Sequence, residues 1–83
     1  IILLFIQLLY TMKKVKKIEI KINGKVIKVK EDTKMLSLIN DLKIPIKKVA
    51  IELNREIIDK TKLDKIKIKK NDKVEIVHFI GGG

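Results

Sequence analysis

The residues best placed to do chemistry are the last three, Gly81-Gly82-Gly83. Glycine lacks a Cβ, so such a segment is slim and pliable, and it can enter a cleft that excludes any side chain. It ends in the Gly83 α-carboxylate, an acid whose ordinary pKa is roughly 3.5. A carboxylate is a poor acyl electrophile. Transfer of AMP from ATP would make it a good one, and a partner enzyme could then replace the AMP with sulfur or with an amine. Taken alone, three terminal glycines also fit a frayed end or a cloning remnant. The composition offers little rival chemistry. There is no cysteine, which removes disulfides, thiolate metal sites and a cysteine nucleophile together. His78 is the only histidine, and one imidazole does not make a metal cluster. A lone histidine in a strand is usually packed or hydrogen-bonded, so it is given no role.

A tail of this kind needs a body to present it, and the hydrophobic pattern supplies one. Lys17 to Ile22 alternates, with Ile18, Ile20 and Ile22 on one face, which is the period of a half-buried strand. Asn23-Gly24 tolerates the positive φ of a type I′ turn, and Lys25 to Lys30 returns as a second strand with Ile27 and Val29 on one face. Glu31, Asp32 and Thr33 read as a helix start, with Thr33 as N-cap and the acids at the positive end of the helix dipole. Met35, Leu38, Ile39 and Leu42 then fall on one face of a short amphipathic helix that Pro45 keeps from continuing. Val49, Ile51 and Leu53 mark another strand, Asn54-Arg55 a weak turn, and Glu56-Ile57-Ile58 a short return strand. Between Asp59 and Lys70, Leu63, Ile66 and Ile68 fit a helical turn or an irregular strand equally. Asn71-Asp72 is a turn. Lys73 to Ile80 is the last strand, and its apolar run Ile76-Val77-His78-Phe79-Ile80 reads as a central strand buried on both faces. The expected architecture is α+β: a mixed sheet of about four to five strands with one main helix across one face. The first and last strands are expected side by side in the middle.

Length and charge bound the rest. Eighty-three residues make one domain with little room for a deep catalytic cavity. The net charge is +10, nearly all of it from lysine. A basic surface suits nucleic acid, an anionic membrane or an acidic protein, or is simply a set of solvated lysines. A single arginine, Arg55, lowers the nucleic-acid reading, because arginine supplies the bidentate contacts to bases and phosphates. Residues 1–11 (IILLFIQLLYT) are almost wholly apolar, too short to cross a bilayer, and without the basic n-region of a signal peptide. Met12 reads as the natural beginning. Residues 1–11 are therefore expected to lie outside the native fold, 12–80 to form the domain and 81–83 the flexible tail. If retained, the leader is an apolar patch that could drive association.

Three segments then carry a resemblance: Ile22-Asn23-Gly24, the stretch from Val49 to Ile58, and above all the closing run from Asn71 to Gly83. From Met12 to Gly83 the chain resembles the ThiS sulfur carriers of thiamine biosynthesis, within the ThiS/MoaD group of ubiquitin-like β-grasp proteins. Arg55 stands where that family commonly has glycine, and the segment before Asn71 is unusually rich in lysine. The resemblance implies a cytoplasmic protein that is not itself an enzyme and binds no cofactor or metal. An E1-like adenylating enzyme would use ATP to activate Gly83. A persulfide donor would convert it to a thiocarboxylate, and thiazole synthase would take the sulfur. Gly81 and Gly82 would be the leash, while Phe79 and Ile80 would dock on partners, unless they are merely core. Neither nucleic acid nor membrane is an expected partner. The rival readings are a molybdopterin-synthase small subunit, a carrier for tRNA thiolation or a ubiquitin-like modifier. A basic nucleic-acid-binding domain is a further rival, but it would want exposed stacking aromatics that Phe5, Tyr10 and Phe79 hardly provide.

Overall fold

The computed structural model describes residues 1–13 and 16–79. The chain runs through helix α1 (Ile2–Lys13), strands β1 (Lys17–Ile22) and β2 (Lys25–Lys30), helix α2 (Met35–Asp41), a 3₁₀ turn (Ile46–Lys48), strands β3 (Val49–Leu53) and β4 (Glu56–Ile57), a 3₁₀ helix (Lys60–Lys65) and strand β5 (Lys73–His78). The sheet has five strands in the order β2-β1-β5-β3-β4. Both hairpins are antiparallel. β5 lies between them, parallel to β1 and antiparallel to β3. The expected adjacency of first and last strands is therefore observed, and the topology is that of a ubiquitin-like β-grasp.

Each hairpin turns on an asparagine in the left-handed region. Asn23 and Gly24 have φ of 48° and 82°, and Asn54 and Arg55 have φ of 50° and 72°. Two successive positive φ values match the right-handed twist of the flanking strands, so the weak Asn54-Arg55 signal marks a true turn. Both asparagine side chains reach across to β5. The Asn23 Oδ1 accepts from the Ile76 amide at 2.8 Å and its Nδ2 donates to the Ile76 carbonyl at 3.3 Å. The Asn54 Oδ1 accepts from the Lys73 amide at 2.9 Å and its Nδ2 donates to the Asp72 carboxylate at 3.1 Å. The regular β1–β5 ladder is short, pairing Lys21 with Lys73 and Ile22 with Val74. The Asn23 amide acts as a further peptide group and carries the pairing on to Ile76.

One face of the sheet is covered. Ile20, Val49, Ile51, Val74 and Ile76 point inward against Met35, Leu38 and Ile39 of α2, with Leu63 and Ile68 closing the side. No buried polar or charged residue interrupts this core among the described residues. α2 differs from expectation at both ends. Its N-cap is Lys34, without a side-chain bond, while the Thr33 hydroxyl turns back to the Lys30 carbonyl at 2.7 Å. The first turn is held by tertiary pairing instead: the Met35 amide donates to the Ile66 carbonyl, and the Ile68 amide to that of Thr33. At the other end the helix stops before Pro45. Lys43 (φ 57°) and Ile44 donate back to Asn40 and Ile39 in a Schellman motif. Leu42 therefore leaves the helical stripe, and 45% of its surface is exposed.

The segment from Asp59 to Lys70 combines the two expected alternatives, a 3₁₀ helix that buries Leu63 and then extended chain with a single bridge between Lys34 and Lys67. The last strand corrects its expectation. β5 is central, but only Val74 and Ile76 are buried, while Lys73, Glu75 and Val77 lie on an open face. An apolar run alone does not imply burial on both sides. α1 lies outside the sheet–helix core, and its side chains from Ile2 to Tyr10 are exposed. Among the described residues no helix is long and apolar enough to cross a membrane.

Replacing Asn23 with alanine removes two bonds to Ile76 and a residue tolerant of φ 48°. At about 1 kcal/mol net per bond, the loss is expected to be roughly 1–3 kcal/mol. At about 4–8 °C per kcal/mol for a domain of this size, thermal unfolding should show a fall of at least several degrees. A shift below one degree would mean that the clamp contributes nothing. Arg55→Gly should act the other way, raising stability by up to about 1 kcal/mol through relief of left-handed strain. Urea unfolding checks the sign.

Candidate functional site

β5 delivers its carboxyl end to one corner of the sheet. His78 pairs with Val49, and the Phe79 amide continues the ladder by donating to the Lys48 carbonyl at 2.9 Å. The side chains of β5 alternate, so Val77 and Phe79 both belong to the open face. They are 53% and 57% exposed. Phe79 is therefore not part of the core, which settles the alternative left open by its apolar character. Val77 pairs with Ala50, and one ladder further out Ile57 pairs with Glu52 at 75% exposure. Apolar side chains thus sit on the open face close to the strand end that leads into the tail.

A cation sits at the same corner. Lys60 Nζ lies 5.0 Å from the centroid of the Phe79 ring, within cation–π range. Lys60 is half-buried and opens the 3₁₀ helix, whose N-cap is Asp59. The Asp59 carboxylate accepts from the Thr61 hydroxyl at 2.7 Å and from the Thr61 amide at 2.9 Å. The hydroxyl bond, then the amide bond, hold its pKa below the ordinary carboxylate range. This cap sets the direction of Lys60. Nothing in the local sequence signals the Lys60–Phe79 contact, because it joins residues nineteen apart through the fold.

Of the residues expected to work, Phe79 is placed at this corner, while Ile80, Gly81, Gly82 and Gly83 lie outside the described residues. Covalent geometry still bounds them. Four residues beyond Phe79 span at most about 13–14 Å when fully extended. His78 is exposed on β5 and joins no cluster. Among the described residues no three His, Asp or Glu side chains gather into a metal-holding group. The surface clefts among the described residues lie open to solvent.

Fold and corner together define a small ubiquitin-like domain in which the final residues follow directly on the central strand. Known proteins agree. The ThiS family model matches residues 12–83, leaving α1 largely outside the match. The sulfur carrier protein ThiS of Bacillus subtilis is 38% identical over 65 residues, covering 77% of this chain and 98% of that protein. A crystal structure of the thiamine biosynthesis protein ThiS from Geobacter metallireducens superposes with a TM-score of 0.71 at 32% identity, covering 80% of this chain and all of that one. A thiazole synthase of Paramagnetospirillum magneticum is 43% identical over 47 residues, which are 57% of this chain and 14% of that protein. The chain belongs to the ThiS family, the sulfur carriers of thiamine biosynthesis.

Phe79→Ala should leave the fold intact. An exposed cation–π contact contributes about 0.5–1 kcal/mol, so the melting temperature should fall by a few degrees at most. A loss above about 3 kcal/mol, the range of buried aromatic truncation, would place the ring in the core instead.

Proposed function

We propose that Gly83 is the loaded end of this sulfur carrier. Its carboxylate oxygen attacks the α-phosphorus of ATP on an E1-like activating enzyme, releasing pyrophosphate and forming an acyl adenylate. The terminal sulfur of a persulfide donor then attacks the acyl carbon, and AMP leaves. A second thiol cleaves the resulting S–S bond and frees the Gly83 thiocarboxylate. Thiazole synthase takes the sulfur from it. On this reading the chain is a protein cosubstrate and not an enzyme. It binds no cofactor of its own, and ATP serves the activating enzyme. On the same reading it works in the cytoplasm.

One observation carries the reading: a ThiS-family domain whose central strand ends at His78, a few residues before Gly81-Gly82-Gly83 in the sequence. Gly81 and Gly82 add no side chain to the leash, so a narrow active-site channel can close round it. Phe79 and Ile80 at its root are the docking residues. The thiazole synthase similarity supports the choice of acceptor, since a segment like this chain occurs within a protein of that activity. Thiazole formation is therefore favoured over pterin or tRNA acceptors.

Intact-mass spectrometry after incubation with ATP and the activating enzyme should show the adenylate. With a persulfide donor added, the mass should rise by one oxygen-to-sulfur exchange. No change with an enzyme of proven activity would sink the reading. Adding one alanine after Gly83 should abolish both products while leaving the melting temperature unchanged, because the free carboxylate is displaced.

A further inference from the structure

The corner that launches the tail is ringed by lysines. Lys47 and Lys48 close the 3₁₀ turn before β3, both exposed, and the Lys48 carbonyl holds the Phe79 amide. Lys60 follows the return strand of the edge hairpin, which brings it back to the end where β3 begins, and it lies against the Phe79 ring at 5.0 Å. Among the described residues none of the three bridges to an Asp or Glu. The nearest acid in sequence, Asp59, spends its carboxylate on Thr61. The Lys60 ammonium rests on the Phe79 ring, Lys47 and Lys48 are exposed beside it in the chain's path, and the charge of all three is left for something outside the chain.

We infer that Lys47, Lys48 and Lys60 form a basic collar that seats on an acidic rim around the cleft of the activating enzyme. The inference rests on the carrier reading and names the chemistry of the partner's surface. The collar lies beside Phe79, and the four residues that follow it span at most about 13–14 Å, so whatever receives the tail must also come close to these cations. A carboxylate-lined rim would steer the carrier and orient its tail before the glycines enter. Steering of this kind raises association rates by about 10- to 1,000-fold and falls with ionic strength. Nucleic acid suits the corner less well. It has no arginine for bidentate phosphate contacts, and Phe79 is its single aromatic ring, already covered by Lys60.

The test is ATP–pyrophosphate exchange catalysed by the activating enzyme, with the full chain as varied substrate. The triple variant Lys47→Glu, Lys48→Glu, Lys60→Glu should raise the KM for the carrier roughly tenfold or more at low salt, with kcat within about twofold. At about 0.5 M salt, where screening is much shorter in range, variant and unaltered chain should converge. The double variant Lys47→Glu, Lys48→Glu spares the ring contact and should show part of the same rise. Lys60→Arg should keep the original KM. The control carries Lys25→Glu, Lys28→Glu and Lys30→Glu on the outer strand β2, an equal change in net charge, and should move KM little. Circular dichroism confirms folding of each variant. An unchanged KM in the triple variant overturns the collar, and so does an equal rise in the β2 control. Collar-dependent binding of a uridine oligonucleotide, with KM unaltered, also overturns it, in favour of nucleic acid. Absence of exchange with the unaltered chain is a different result: it defeats the carrier reading itself.

Discussion

Everything useful about this chain depends on the position of one strand. β5 lies in the centre of the sheet, between β1 from the start of the domain and β3 from the middle of the chain. Its pairing to β1 closes a loop of about fifty residues and is only two regular pairs long. Such a ladder is costly in loop entropy and poor in bonds. Asn23 and Asn54 offset that weakness. Each begins a hairpin turn, and each sends its side-chain amide sideways into β5. The turns that close the two hairpins therefore also clamp the strand between them. If either clamp loosened, the sheet could keep its hairpins but the tail would lose a fixed origin.

The two faces of β5 divide the work. Val74 and Ile76 face α2 and bind the strand into a core with no buried polar group among the described residues. Val77 and Phe79 face outward, at the end nearest the glycines. A domain this small has its interior filled by the residues that hold it together. On the carrier reading proposed above, a partner that recognises this corner also meets the glycines that follow it in the chain.

Much of this was legible in the residues. Period-two alternation located β1, β2 and β3, Asn-Gly located the first turn, and the 3.6-residue period of Met35, Leu38 and Ile39 located α2. These are local signals, because strand and helix periods are properties of neighbouring residues. The glycine run proposed to carry the chemistry was legible for the same reason: its three residues are consecutive in the chain. The resemblance to the ThiS family rested on the same runs, and family membership bears it out.

Other features were decided only in three dimensions. Thr33 looks like an N-cap, but the pairing of Met35 with Ile66 and of Ile68 with Thr33 satisfies the helix start and frees its hydroxyl for Lys30. The stretch from Asp59 to Lys70 has no single period, so its course was set by where Leu63 and Ile68 could be buried. Lys60 meets Phe79 only because the chain after β4 runs back along β3 towards the end of β5. Val77 and Phe79 read as core because apolar residues look alike whether a second layer covers them or not. Sequence by itself determined most of the elements and supplied the glycine run, since both are local properties of the chain. Tertiary structure alone decided which face stayed open and which lysine meets Phe79, since burial and charge proximity depend on which distant segments meet.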